Sequence, residues 1–180
     1  MTVKRVLSIM ALTVMMVCLF MSVEPAVALA DNNTSYGADS YGAYKLTYSG
    51  RRADIVLYPS GDGYYINLNY DIAAATAGFG KAVLFSNDVP NDMLIVHIYD
   101  PLSDKLSIFA VNDIKIYGNS VFCFDGDSVF ISDDKAPGII YRYSLDGRLI
   151  KAYNFDNRVS QVFCDYSGTV YAVCRISCIC

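Results

Sequence analysis

Val121-Phe122-Cys123 recurs forty-one residues later as Val162-Phe163-Cys164, and at the same offset Ser128-Val129-Phe130 recurs as Thr169-Val170-Tyr171. Further back, Ala82-Val83-Leu84-Phe85-Ser86-Asn87-Asp88 parallels Ser128-Val129-Phe130-Ile131-Ser132-Asp133-Asp134. Ile95-Val96-His97-Ile98-Tyr99, a turn and Lys105-Leu106 parallel Ile139-Ile140-Tyr141-Arg142-Tyr143, a turn and Arg148-Leu149. A fixed period of this length means one supersecondary unit stacked on copies of itself, because a single unit cannot bury its apolar face alone. Within each unit the pattern is short β-branched and aromatic runs cut by Gly, Asp, Asn and Pro, which reads as strands and turns.

The runs predict strands at 44–49, 53–58, 63–70, 80–86, 93–99, 104–110, 120–124, 127–132, 138–144, 148–154, 159–164 and 168–176. Ser60-Gly61-Asp62-Gly63, Asp125-Gly126-Asp127 and Leu145-Asp146-Gly147 supply residues that tolerate positive φ in hairpin turns. Pro59, Pro90, Pro101 and Pro137 fall between runs, where a missing N–H costs no ladder bond. Ile72 to Ala77 has Ala-rich helix propensity but is too short to stand alone as a helix. The expected fold class is therefore all-β and antiparallel, with four short strands per unit.

That strand count and period resemble a β-propeller blade, and Val121 to Tyr153 is similar to NHL-like and other non-WD blades. The resemblance covers roughly residues 63–176 and points to no single family; the chain has no Trp and so no Trp-Asp dipeptide. The units fall at about 63–110, 114–154 and 159–180, about two and a half blades, with 44–58 as a leftover or closing strand pair. Propellers typically close with about four to eight blades. The run Val170 to Cys180 stops in mid-pattern with apolar residues where a repeat protein normally has a polar cap. The expectation is an incomplete or open propeller: a truncated frame or fragment, a small open sheet stack, or a ring closed by oligomerisation.

The N-terminus carries different information. Lys4 and Arg5 precede an uncharged, almost wholly apolar run, Val6 to Val23. Glu24-Pro25 ends it, and Ala28 and Ala30 place small residues at −3 and −1 of a signal-peptidase site. Residues 1–30 read as a secretory signal, with the mature chain beginning at Asp31 and destined for a secreted or extracytoplasmic location. The alternative is an uncleaved membrane anchor, since an apolar run of this length just spans a bilayer. Cys18 lies inside the run and lacks the small residues that precede a lipidated cysteine. Asp31 to Ala43, rich in Asn, Ser, Gly and Tyr, reads as a flexible leader before the repeat domain at 44–180. Asn32 and Asn33 each match the glycosylation sequon, which only a eukaryotic secretory host uses.

Removing Lys4, Arg5 and Glu24 takes 14 basic and 18 acidic residues to 12 and 17, a formal charge of −5. Charges are scattered, so no electrostatic footprint for nucleic acid exists.

No catalytic constellation emerges, and neither a cofactor nor a metal is expected. His97, the one histidine, shares a strand face with Met93, Ile95 and Tyr99, as a packed core residue would. Ser120 lacks the Gly that a nucleophile elbow requires where Phe122 stands. Cys174, Cys178 and Cys180 fall on one face of a strand, whereas a zinc site draws on two separate ligand pairs. Five mature cysteines fit a disulfide framework poorly, and Cys123 and Cys164 at matching repeat positions read as packing in one layer. Asp125 and Asp127, Asp133 and Asp134, and Asn87, Asp88, Asn91 and Asp92 match no EF-hand loop and read as turn residues. Fifteen tyrosines fill strands by propensity; the leader and the pair Tyr64 and Tyr65 are the candidates for binding a partner.

The expectation is an exported non-enzymatic binding or scaffold module whose partner is an extracellular protein or glycan, with a homo-oligomer as one way to cover an open sheet edge. The alternatives are a fragment of an exported propeller hydrolase or lyase, and a truncated product without function.

Overall fold

The computed structural model describes residues 34–39, 42–118, 120–165 and 167–174. The expected signal segment with Ala28 and Ala30, and Cys178 and Cys180, lie outside them. Fourteen strands and no helix occur among the described residues. The first sheet holds β1 (Thr34–Asp39), β2 (Gly42–Ser49), β3 (Arg52–Tyr58) and β4 (Gly63–Asn67). The second holds β5 (Ala74–Gly78), β6 (Lys81–Asp88), β7 (Met93–Asp100) and β8 (Lys105–Asn112). The third holds β9 (Phe122–Phe124), β10 (Ser128–Ser132), β11 (Ile139–Ser144) and β12 (Leu149–Asn154). A hairpin of β13 (Val159–Cys164) and β14 (Val170–Cys174) follows. Every pairing is antiparallel and joins strands consecutive in sequence.

The first strands lie side by side, β1 by β5, β5 by β9 and β9 by β13, so the sheets fan out from one line like propeller blades. Between neighbouring blades lies an apolar layer. Blades 1 and 2 meet through Tyr44, Leu46, Ile55 and Leu84. Blades 2 and 3 meet through Val83, Phe85, Leu94, Val96 and Ile131. Blade 3 and the hairpin meet through Cys123, Phe130, Ile140, Val159 and Val162. The period-two pleat explains how β6 serves two layers: Ala82 and Leu84 face blade 1, while Val83 and Phe85 face blade 3. Burial on both faces is why β6 and β7 read as continuous apolar runs rather than alternating ones.

Three elements differ from the expectation. The presumed flexible leader contains β1, paired along its whole length with β2, so 44–58 is no leftover but the middle of a complete first blade. The unit expected at 63–110 straddles two sheets: Gly63–Asn67 closes blade 1, and blade 2 begins at Ala74. The run expected to continue to residue 70 ends because Leu68 N–H donates to the Arg51 carbonyl (2.8 Å) and Ile72 N–H to that of Gly50 (2.7 Å), which turns the chain back toward the axis. The Ala-rich stretch is strand β5. Ala74, Ala75 and Ala77 are buried where first strands converge, and small side chains let the backbones approach there. Tertiary packing thus overrides local helix propensity.

Blades also lock at their turns. Gly147, at φ +84°, sits in the β11–β12 turn against blade 2, and a Cβ there would lie 2.7 Å from Phe109 Cβ. Gly147→Ala combines a left-handed backbone with overpacking and is expected to cost about 2 kcal/mol in urea unfolding. Gly50→Ala, where φ is +56° and nothing lies within 4 Å, isolates the backbone part.

Candidate functional site

Among the described residues the hairpin has two strands where each blade has four. Among the same residues, a groove of about 270 Å³ opens between blade 3 and the hairpin. Phe130 of β10, Ile140 and Arg142 of β11 and Tyr153 of β12 line one side; Val162 of β13 and Val170 of β14 line the other. At one end lies an ion pair built from the turn before β10. Asp125 Oδ1 accepts from the N–H groups of Asp127 (2.9 Å) and Ser128 (2.6 Å), which brace the turn. Its Oδ2 accepts from Arg142 Nη2 at 3.4 Å. Arg142 Nε donates to Ser128 Oγ (2.9 Å), and its guanidinium stands 5.3 Å from the Phe130 ring centroid. Arg142 is thus held by a carboxylate, a hydroxyl and an aromatic face at once, a geometry suited to its planar fork. The groove offers an apolar floor and one internally neutralised charge pair. That chemistry suits the docking of a side chain.

The matching turn of the hairpin uses the same device. Asp165 Oδ1 accepts from Ser167 N (2.9 Å), Ser167 Oγ (2.6 Å) and Thr169 N (3.0 Å), and Oδ2 accepts from the Tyr171 hydroxyl (3.2 Å). Ser167 foremost, with the other donors, holds this carboxyl below its ordinary value. Among the other acidic loops, Asn91 Nδ2 donates to Asp88 Oδ2 (2.8 Å), and Asp92 pairs with Lys115. No group of three or more His, Cys, Asp or Glu side chains converges among the described residues.

The structure separates the two tyrosines singled out as partner-binding. Tyr64 packs against the layer between blades 1 and 2, and Tyr65 is exposed on the opposite face of blade 1. Arg52 covers the Tyr65 ring at 4.8 Å while forming an ion pair with Asp54. Tyr36 and Tyr58 are exposed beside neither of them in sequence. His97 is buried opposite Leu84, facing blade 1, and neither ring nitrogen has a hydrogen-bond partner among the described residues. Burial pushes it down to about 4. Ser120 Oγ accepts from Tyr117 N–H (3.1 Å) and donates to the Lys115 carbonyl (3.4 Å), so it braces a turn. Sequence reasoning missed Arg142, because its partners stand 14 and 17 residues away in the chain. The one signal was a charge inside the otherwise apolar Ile139–Tyr143 run.

No family model and no curated protein matches the chain. Solved structures of β-propeller proteins do resemble it. Apo AztD from Citrobacter koseri superposes with a TM-score of 0.50 at 13% identity, over 69% of this chain and 37% of that one. BamB from Moraxella catarrhalis gives 0.49 at 14% identity, over 81% and 47%. The N-terminal part of BBS1 in complex with ARL6 gives 0.48 at 12% identity, over 79% and 43%. The chain thus spans less than half the length of these structures. At such identities the likeness speaks to the fold alone, which is all-β and built of propeller-type four-stranded sheets.

Proposed function

We propose that this chain is an exported, non-enzymatic binding module that takes an extended protein segment as an added strand on β14. One observation carries the reading: among the described residues β14 pairs with β13 alone, and its Val170 and Ala172 line the groove on blade 3. It contains no charged residue and no proline, and Tyr171 and Val173 are exposed on it. Natural edge strands usually carry such guards against pairing. Strand addition supplies backbone hydrogen bonds for affinity, and alternate side chains drop into the adjacent groove for specificity. Export rests on residues 1–30, and the non-enzymatic reading on a groove whose charged pair is occupied by itself and its turn.

In the isolated protein a second copy takes the same edge, giving β13-β14-β14′-β13′. Light scattering on the purified chain is expected to show concentration-dependent dimers. Val173→Lys is expected to weaken the association at least tenfold, about 1.4 kcal/mol, with an unchanged circular dichroism spectrum, because an edge lysine blocks pairing. A wild-type monomer at every concentration, with β14 amides already protected from exchange, would overturn the reading.

A further inference from the structure

The forty-one-residue repeat aligns Cys123 with Cys164, which would put both thiols in the same layer of successive blades. The strand registers say otherwise. Val129 pairs with Phe124 and Phe130 with Cys123 in blade 3. In the hairpin Val170 pairs with Cys164 and Tyr171 with Phe163. With Val129 and Val170 superposed, Cys164 corresponds to Phe124, and Cys123 corresponds to Phe163. The turn before β14 carries one extra residue, Asp165 to Thr169 against Asp125 to Ser128, and a slip of one residue turns every side chain of a strand to its other face.

The consequence is a reversal of facing. Phe124 and Phe122 pack toward blade 2. Cys123, between them, packs toward the hairpin. Cys164 and Val162 point back from the hairpin toward blade 3, in that same cluster. Their strands β9 and β13 run side by side; both side chains are free thiols in this structure, and Cys164 Sγ donates to the Asp165 carbonyl (3.3 Å). We infer that Cys123 and Cys164 form a disulfide that staples blade 3 to the hairpin.

A disulfide requires Cα atoms about 4.4–6.8 Å apart and side chains directed at each other, and the reversed facing supplies the second condition. Burial first, then the neighbouring Cys164, pushes Cys123 well above its ordinary value. Burial likewise pushes Cys164 up to about 12. Both thiols are therefore protonated in the finished fold and attack slowly. The bond forms while the chain folds, before Cys123 is covered.

The oxidant is a soluble disulfide of the glutathione type. The Cys164 thiolate attacks it, forming a mixed disulfide and releasing one small thiolate. The Cys123 thiolate then attacks the Cys164 sulfur, closing the protein S–S bond and expelling the second small thiolate. The two protons lost by the protein thiols end on the two small thiols, and the protein's two electrons reduce the reagent. Cys174, in the same cluster, is the competing thiol.

The test is refolding of the full chain in a buffer of oxidised and reduced glutathione, followed by alkylation and peptide mapping by mass spectrometry. A peptide pair joining Cys123 to Cys164, lighter by two hydrogens than the separate peptides, is the expected result, and Cys174→Ser retains it. The wild-type melting temperature is expected to fall on reduction, a difference that Cys164→Ser abolishes. Full alkylation of Cys123 and Cys164 in protein with a β-rich circular dichroism spectrum would overturn the inference. So would a cross-link of either residue to Cys174, Cys178 or Cys180 in its place.

Discussion

Phe85→Ala is expected to lower the free energy of unfolding by about 3–5 kcal/mol. Phe85 is wholly buried on β6, facing blade 3, with the Phe122 ring at a centroid separation of 4.8 Å. Leu94, Val96, Val129 and Ile131, all fully enclosed, share its cluster. Truncation removes the ring's transfer free energy and leaves a cavity between two rigid sheets, which cannot collapse without tearing ladder bonds on both sides. A value of this size is a large fraction of the stability of a domain this small. The check is urea unfolding: the midpoint should fall with little change in slope. Tyr65→Ala, on an exposed face, is the control and should stay within about 0.5 kcal/mol. A loss below about 1 kcal/mol at Phe85 would mean that blades 2 and 3 do not pack as described.

His97 governs the acid limb of stability. Its folded value lies at about 4, below the ordinary 6.5, because burial disfavours the cation. The unfolded chain therefore binds the proton first. Stability from this group is fully present above pH 6.5, declines as pH falls toward 4, and changes no further below that. The separation of about 2.5 pH units corresponds to a loss on the order of 3 kcal/mol. Asp54, Asp92, Asp100, Asp146 and Asp165 are all held below their ordinary values. Their contributions persist above the usual carboxylate range, so the window from pH 6.5 to about 4.5 belongs to the one histidine. His97→Leu is expected to flatten that window in denaturant titrations. It should also gain about 1 kcal/mol at pH 7 by removing two buried nitrogens that lack partners. An acid limb of unchanged steepness in His97→Leu would refute this account.

Residue pattern reached the fold class and most strands within one or two residues: 53–58 against Arg52–Tyr58, 138–144 against Ile139–Ser144, 148–154 against Leu149–Asn154. It failed where a strand is held by its neighbours rather than by its own propensity. Thr34–Asp39 has one β-branched residue, and Ala74–Gly78 is mostly alanine, yet both are first strands beside the axis. Missing them shifted the boundary of every unit before residue 112. The groove was illegible for a related reason: residues of five strands, from Phe130 to Ala172, line it together. The facing of Cys164 turned on a single residue of loop length, which a search for recurring triplets cannot see.

That each strand pairs with the one made just before it bears on how the molecule comes into being. Every hairpin closes over a short stretch of chain, so little entropy is lost in bringing its ends together, and topologies of this kind form quickly for a β protein. Blade 1 is complete once Asn67 has emerged, and nothing in its hydrogen-bonded ladder waits for residues still to come. Each later blade meets a finished template face on arrival. The protein is thus suited to assembly in the order of its own synthesis, growing like a stack of cards dealt one at a time.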